Sequence, residues 1–426
     1  MLIENPKFIT ILIFLITYTA LIIFYQKKTL IVWIAAVILL LLKLLTPRQA
    51  LESIDWNVIL LYFGMLFVGE VFLFSKMPDF LAIMIASRAK NAGMAMVFLC
   101  ILTGLLSTAL ENVAVVLIVA PIALSIARKC DITPVPLFIG MAISSNLQGA
   151  ATLIGDPPSM LLAGFTGMNF NDFFFIEKLP SIFFSVQFGA IVSAVVLFLI
   201  FKKYDKKMPV LKEEKYLTLI PSIFIALLVF SLILGSSFEH DIHYMSGIIC
   251  FTFGIISFAW FVFYRKGEGV KKSLANLDWQ TGVFLMGIFI LVKSLSVAGL
   301  MEDAAELILK VSGKNPFSVY MLIVWVSVFL SAFIDNVPFL VAMLPVVKSI
   351  TVNMGTSPSL LYFGLLIGAS VGGNITPIGA SANIVSVGIL KKQGYSMRFM
   401  EFVRIGLPFT IVSVIASSMF TWIVFS

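Results

Sequence analysis

The chain has 426 residues, of which 60% are hydrophobic and only 12% are charged. Soluble domains carry about 25% charged residues, so the composition excludes a soluble globular protein, and it equally excludes a disordered or collagen-like chain. Three Cys and two His leave neither a disulfide framework nor a zinc cluster. The net charge of +7 would suggest nucleic acid in a soluble protein, but here the basic residues cluster between apolar segments. The composition therefore indicates a multi-pass membrane protein.

Apolar segments follow one another along the whole chain. A run of about 20 mostly apolar residues is long enough to cross a bilayer as a helix. Two milder segments, 76–92 and 299–314, have apolar residues at helical spacing and are expected to lie at the membrane interface. The expected spans are 8–24, 29–45, 57–75, 136–158, 181–202, 216–235, 246–264, 280–298, 359–385 and 403–425.

Two longer apolar stretches, about 94–129 and 317–350, are interrupted by polar residues at 107–112 and 331–336. Each stretch is either two full spans or one re-entrant hairpin, and the polar breaks favour hairpins. With Lys27 and Lys28 placed inside, most of the 29 Lys and Arg residues fall in cytoplasmic loops. We therefore expect an integral, multi-pass protein of the cytoplasmic (inner) membrane.

The two halves of the chain match at an offset of 223 or 224 residues, and the block 137–159 aligns without gaps on 361–383. Each half has five expected spans, and an odd number turns the second half upside down in the membrane. Inverted repeats with broken helices at matching places are typical of secondary transporters, although duplicated helices could merely pack alike. The predicted divisions are a first repeat at 1–205 (hairpin about 94–129, broken helix about 136–160), a cytoplasmic linker at 206–215, and a second repeat at 216–426 (hairpin about 317–350, broken helix about 359–385).

The hairpin tips place acids and amides inside apolar stretches. Ionisable groups at membrane depth indicate function by default. Carboxylate and amide oxygens suit a hard cation such as Na+, and burial of a carboxyl group favours its protonated form, so the same group could carry H+. The alternative is that Ser and Asn residues here only cap helix ends. The tip residues are Ser107, Glu111, Asn112, Ser331, Asp335 and Asn336.

The broken helices, 144–158 and 370–383, carry Gly and Pro beside polar side chains. Gly lets the backbone leave the helix and Pro starts a new one, which frees carbonyls for a cation and helix N-termini for an anion. A packing kink is the alternative. Asp156, matched by Ala380, is either a third titrating group or a turn residue. The candidate ligands are Asn146, Thr152, Asp156, Asn374, Thr376, Ser381 and Asn383.

These motifs resemble the ion transporter superfamily. SAFIDNVP (331–338) and GAATLIGDPP (149–158) look like sodium/proton antiporters and P-protein relatives, and GGNITPIGASAN (372–383) adds the TPIG segment of arsenite-efflux permeases. The resemblance implies a homodimer and an elevator-like motion of a transport domain past a scaffold. Similarity to sodium-coupled dicarboxylate transporters implies tip residues that include Thr108, although this chain lacks their contiguous Ser-Asn-Thr. Possible Na+ ligands are Asn112, Asn146, Asn336 and Asn374.

Three functions remain open on the sequence alone. The first is a transporter that couples H+ or Na+ to a small ion, as in Na+/H+ antiport or arsenite and anion efflux. The second is a Na+-coupled symporter of a di- or tricarboxylate or another anion, and the third is a channel or membrane scaffold. An enzyme is not expected, since no nucleophile and base are paired in the sequence, and no cofactor is expected besides the coupling ion. The expected partners are a small ion or anion and the lipid bilayer, without nucleic acid.

Overall fold

The computed structural model describes residues 6–208, 215–237, 244–267, 269–313 and 315–426. The predicted linker at 206–215 falls largely outside the described residues. Helices dominate the first half of the chain. They are α1 (Pro6–Ile23), α2 (Lys28–Leu41), α3 (Pro47–Glu52), α4 (Trp56–Phe74), α5 (Met77–Ser87), α6 (Ala92–Ser107), α7 (Asn112–Lys129), α8 (Val135–Gly149), α9 (Pro157–Thr166) and α10 (Ile182–Phe201).

The second half is built in the same way. Its helices are α11 (Ile220–Gly235), α12 (Met245–Tyr264), α13 (Val270–Asn276), α14 (Trp279–Val297), α15 (Leu300–Ser312), α16 (Pro316–Ser331), α17 (Asn336–Met354), α18 (Pro358–Gly372), α19 (Ser381–Lys392) and α20 (Phe399–Phe425). In the described part of the chain, the strands are limited to one short antiparallel pair, β1 (Phe175–Ile176) and β2 (Leu179–Pro180). The all-α class predicted from the sequence is confirmed.

Nine helices of the described residues are long and apolar enough to cross a membrane, or ten if the bent pair of α15 and α16 is one span. The polar breaks do end helices, because α6 stops at Ser107 and α16 at Ser331. The second halves of the broken helices run to Thr166 and Lys392, further than the predicted ends near 160 and 385. Each broken helix bends and starts again after its break. Its second half therefore ends later in the sequence than a single straight span would.

Contacts divide the helices into two lobes. In the paired lobe (α1–α4 and α11–α14), α4 packs on α12 and α2 packs on α14, so helices of one repeat pack against helices of the other. In the hairpin lobe (α6–α10 and α16–α20), α6 packs on α8, α16 on α18, and α10 on α20. Helices α5 and α15 connect the lobes. Every one of these pairings has its counterpart in the other repeat, as an internal two-fold relation requires.

The ends of the helices define two faces. One face, called the basic face here, carries helix ends rich in lysine and arginine, such as Arg128 and Lys129. On this face, Leu217 N donates to Ser75 O at 2.8 Å, and Arg128 Nη2 donates to Gln393 Oε1 at 2.7 Å. On the opposite face, Asn171 N donates to Ser236 Oγ at 3.3 Å. The basic face is the one that the charge pattern predicts to be cytoplasmic.

Candidate functional site

The two acids at the hairpin tips cap the helices that follow them. Glu111 Oε2 accepts from Ala114 N at 2.9 Å, and Asp335 Oδ1 accepts from Val337 N at 3.4 Å. Capping was expected of the Ser and Asn residues, but the acids provide it. Each carboxylate keeps its other oxygen available for further contacts, so the capping role does not exclude a functional one.

A first polar cradle forms where the α6–α7 tip meets the break between α8 and α9. Ser107 Oγ lies 2.6 Å from Ser145 Oγ, and Thr152 Oγ1 donates to the carbonyl of Thr108. The side chain of Thr108 turns back to Leu105 O at 2.8 Å, so only its carbonyl faces the cradle. The cradle is therefore lined by hydroxyl and carbonyl oxygens.

Asn112 and Asp156 close this first cradle around Gly149. A Cβ atom added to Gly149 would lie 2.6 Å from Asn112 Oδ1 and 2.9 Å from Asp156 Oδ2, so only glycine fits. Asp156 is 2% exposed and caps α9 by accepting from Ser159 N at 3.0 Å. Asn112 Oδ1 is buried without a hydrogen-bond partner. An orphaned buried acceptor beside a buried carboxylate is suited to a bound cation.

A second cradle repeats the first at the α16–α17 tip and the break between α18 and α19. Thr376 Oγ1 donates to Ala332 O at 2.5 Å, as its counterpart does in the first cradle. In the amide orientation that gives both ends of the Asn336 side chain a partner, its nitrogen donates to Ala369 O at 3.0 Å and to Gly379 O at 3.2 Å. Ser331 Oγ lies 2.7 Å from the same amide. The offset read from the sequence thus reproduces a three-dimensional arrangement of hydrogen bonds.

The cradles differ where the sequence repeat fails. Ala380 stands where the first cradle has Asp156, and Asn383 stands where it has Ser159. Asn383 Nδ2 donates to Gly373 O and to Thr376 O, both at 2.9 Å. The second cradle is therefore neutral and braced by an amide, whereas the first contains a carboxylate.

Three buried amides join the two broken helices. Asn146 Nδ2 donates to Asn374 Oδ1 at 2.8 Å and to Asn383 Oδ1 at 3.0 Å. Asn374 Nδ2 donates to Ile143 O at 3.0 Å. Asn146 and Asn374, both predicted as possible Na+ ligands, thus bond each other between the cradles. Ser381 begins α19 close to this cluster.

The paired lobe brings further polar groups to the tips. Lys28 Nζ lies 3.2 Å from Asp335 Oδ2, and the hydroxyl of Tyr62 donates to Asp278 O at 3.1 Å. Tyr62 and Glu111 line a small cavity of about 10 Å³ together with Asp156. Sequence reasoning placed Lys28 in a cytoplasmic loop and gave Tyr62 and Asp278 no role. The match between Asp55 and Asp278 in the repeat was the only signal that singled out either aspartate.

Two larger cavities separate the lobes. One of about 860 Å³ opens at the opposite face, where Lys293 of the paired lobe and Lys348 of the hairpin lobe both reach it. The other, of about 410 Å³, lies on the side of the basic face and is lined by Lys28, Asp335 and Ile378. The second cradle's tip is thus the one that borders the basic-face cavity.

The contact between the two lobes is tight in the first repeat and absent at the matching position of the second. Gly164 of α9 packs so closely on α4 that an added Cβ would lie 2.3 Å from Asp55 Oδ2 and 2.5 Å from Val58 Cγ2. Gly388 of α19 is its counterpart, and an added Cβ there would have no atom within 4 Å. The contact is closed in the first repeat and open in the second.

The cradles offer oxygen ligands rather than a cluster of metal-binding side chains. No group of three or more His, Cys, Asp or Glu residues comes together within the described ranges. Monovalent cations need fewer charged ligands than zinc does, so the neutral oxygens of the cradles are the relevant donors.

Comparison with known proteins places the chain among transporters. It matches the family model described as citrate transporter (CitMHS) over residues 13–258 and 248–426. Uncharacterized transporter Mb2703 of Mycobacterium bovis is 29% identical over 417 residues, which cover 93% of this chain and 94% of the relative. P protein of Mus musculus is 27% identical over 447 residues, covering 86% of this chain but 53% of P protein. The predicted resemblance to P-protein relatives is confirmed.

Solved structures share the fold. The YdaH transporter of Alcanivorax borkumensis aligns with a TM-score of 0.59 at 13% identity, covering 88% of this chain and 86% of that chain. MtrF of Neisseria gonorrhoeae, described with a class of antimetabolite efflux pumps, aligns with a TM-score of 0.56 at 16% identity, covering 91% and 84%. At such identities the likeness concerns the fold alone.

Proposed function

This chain belongs to the citrate transporter family, and on that premise we propose that it is a secondary active transporter with alternating, elevator-type access. It couples H+ or Na+ to the movement of a small ion, as in Na+/H+ antiport or arsenite and anion efflux. The apolar helices and the family support a multi-pass membrane transporter; the coupling ion, the direction and the substrate belong to the proposal.

The observation that carries the proposal is the first cradle. It combines a carboxylate that is 2% exposed, Asp156, with the unpartnered oxygen of Asn112 and with carbonyls freed by the helix break. A buried carboxylate needs a proton or a cation to offset its charge. The candidate coupling groups are therefore Asp156 and the tip acids Glu111 and Asp335, with Na+ or H+ as the only cofactor required.

Alternating access is supported by the unequal contact between the lobes. If the hairpin lobe moves towards the opposite face, the internal two-fold relation predicts that Gly388 approaches Asp278 and Thr281 as Gly164 separates from Asp55 and Val58. The sequence equivalence of these positions makes both arrangements available to one chain. The present arrangement is then the state in which the second tip borders the basic-face cavity.

A second candidate is Na+-coupled or H+-coupled symport of an anion such as citrate. The family description names citrate. The 860 Å³ cavity between the lobes also presents Lys293 and Lys348, whose charges would attract a tricarboxylate from the opposite face. In this scheme the cradles hold the coupling cation, and the freed helix N-termini hold carboxylate groups.

The oligomeric state and the orientation in the membrane belong to the same proposal. We expect a homodimer in the inner membrane with the basic face cytoplasmic. Nucleic acid is not expected as a partner, because the basic residues are explained by membrane orientation.

The test uses purified protein in liposomes with a trapped pH dye and an imposed sodium gradient. We expect sodium-driven proton movement that is lost in Asp156→Asn, Glu111→Gln and Asp335→Asn. Asn and Asp cap helices about equally well, so Asp156→Asn keeps the start of α9 while it removes the charge. Asp131→Asn is the control, since this carboxylate is 99% exposed and lies outside the cradles.

Two outcomes would redirect the proposal. If sodium produces no pH change, radiolabelled citrate and arsenite are supplied under sodium and proton gradients. Gradient-dependent citrate uptake would establish the second candidate. If neither a pH change nor accumulation of either solute occurs, ion-coupled transport is contradicted, and flux at channel rates without coupling would identify a channel.

A further inference from the structure

Lys28 joins the two lobes at the second hairpin tip. It is the first residue of α2, and its ammonium lies 3.2 Å from Asp335 Oδ2, with both side chains 15% exposed. Its Nζ also lies 5.0 Å from the centre of the Phe284 ring. A pair this far from water is screened less than a surface pair, so it holds the tip against the paired lobe more firmly.

A second bond anchors the same tip. The hydroxyl of Tyr18 in α1 donates to Pro338 O at 2.6 Å. The start of the second hairpin's return helix is thus fixed to both α1 and α2.

The charge at Lys28 has no repeat-related counterpart. Thr29 Oγ1 donates to Gln280 O at 3.1 Å, and Gly247 N donates to Asn57 Oδ1 at 2.7 Å. Asn57 and Gln280 are 223 residues apart, so the start of α2 corresponds to the start of α12. Ser246 therefore stands where Lys28 would be repeated. Lys28 therefore pairs with the acid of the second tip, and the repeat supplies no equivalent lysine for the first.

We propose that Lys28 neutralises Asp335 in place of a free cation while the hairpin lobe lies towards the basic face. The pair must separate before the lobe can move to the opposite face. A half-buried carboxylate is stable when it is paired, cation-bound or protonated, and Lys28 supplies the first of these. The inference rests on the proposed alternating access and adds Lys28 to it as a positioning residue.

A disulfide reports the movement directly. Thr281 and Gly388 are the repeat equivalents of Val58 and Gly164, which are in contact. In Thr281→Cys/Gly388→Cys the two Cβ atoms are farther apart in the present state than the mean of about 3.8 Å in a disulfide, because nothing lies within 4 Å of a Cβ at 388. Oxidation of purified protein in liposomes should therefore form the bond faster when the lobe has moved. The three native cysteines are free and buried, and single-cysteine variants control for them.

Lys28→Ala should raise the rate of this crosslink roughly fivefold, which corresponds to about 1 kcal/mol because a factor of ten is about 1.4 kcal/mol. Asp335→Asn should raise it by a similar factor, and the double variant should show no further increase, because either change removes the same pair. Lys28→Arg should restore a rate near that of the parent. Lys27→Ala, a change at the neighbouring exposed lysine, should leave the rate unchanged.

The outcomes separate two failures. Equal rates with and without Lys28, or effects of Lys28→Ala and Asp335→Asn that simply multiply, would overturn the role of Lys28 while the movement stands. Absence of the crosslink in every variant would contradict the proposed movement itself, and the role of Lys28 with it.

Discussion

The two repeats share one hydrogen bond in their cradles and differ in the contact between the lobes. Thr152 and Thr376 make the same hydrogen bond to the carbonyl at their hairpin tip. Gly164 presses on α4, however, while Gly388 faces open space. The bond from each threonine to its tip carbonyl thus obeys the internal symmetry, and the contact at the matched glycines does not. This difference is the one expected if, as proposed, a rigid lobe occupies one of two equivalent positions.

The comparison of the two repeats also helps to separate groups that would bind an ion from groups that would control movement of the hairpin lobe. In the proposed cycle, groups that hold an ion must stay together, so they are expected within the hairpin lobe. Groups that decide between the two positions belong to contacts that only one repeat makes at a time. Variants in matched positions of the two repeats can therefore tell the two roles apart.

The largest effect is expected in the second cradle. Asn383→Ala removes two bonds to backbone carbonyls and one contact with Asn146. Buried groups left unpaired cost about 1–3 kcal/mol each, so the free energy of unfolding should fall by roughly 2–4 kcal/mol. The matched variant Ser159→Ala loses a long bond of 3.4 Å to Gly149 O and the contact of its hydroxyl with the Asp156 carboxylate, and should cost less, about 1–2 kcal/mol.

Thermal unfolding of the purified protein in detergent, followed by the intrinsic fluorescence of its six tryptophans, measures both variants. Equal losses would show that the amide and the hydroxyl brace their cradles alike. The difference between the repeats would then reduce to Asp156.

A smaller effect is expected where the lobes touch. Gly164→Ala places a methyl group within 2.3 Å of Asp55, so the contact must shift, at a cost of about 1–3 kcal/mol to the present state. Gly388→Ala meets no atom and should be neutral or stabilising by up to about 1 kcal/mol, because alanine favours the helix. The same unfolding measurement compares them, and a loss of stability in Gly388→Ala would mean that its open environment is not the dominant one.

Much of this organisation could be predicted from the sequence. Spans and polar breaks follow from the hydropathy of nearby residues, and the repeat follows from aligning the two halves at an offset of 223 or 224 residues. The breaks predicted at Ser107 and Ser331 are helix ends in the structure. Thr152 and Thr376 are matched in the repeat, and the structure gives them equivalent bonds.

The features that the sequence did not reveal are contacts that depend on how the lobes and helices pack against each other. Lys28 is a loop lysine by hydropathy, and only the approach of the second tip places it beside Asp335. The contact of Gly164 and the freedom of Gly388 look identical in an alignment, because the repeat assigns them the same position. The sequence also does not reveal that Asn146 and Asn374, both candidate Na+ ligands, bond each other where the two broken helices meet.

The smallest effect is expected at another ion pair of the described residues, Lys7 to Asp303, which links α1 to α15. Its atoms are closer, at 2.5 Å, than those of Lys28 and Asp335, but its side chains are 43% and 55% exposed. Exposed pairs contribute about 0–1 kcal/mol because water and salt screen them. Lys7→Ala should therefore change the free energy of unfolding by less than about 0.5 kcal/mol and leave the rate of the crosslink between positions 281 and 388 unaltered. If Lys7→Ala accelerated that crosslink as much as Lys28→Ala, the location of Lys28 at the hairpin tip would have no special effect. Any ion pair that links the lobes would then stabilise the present state.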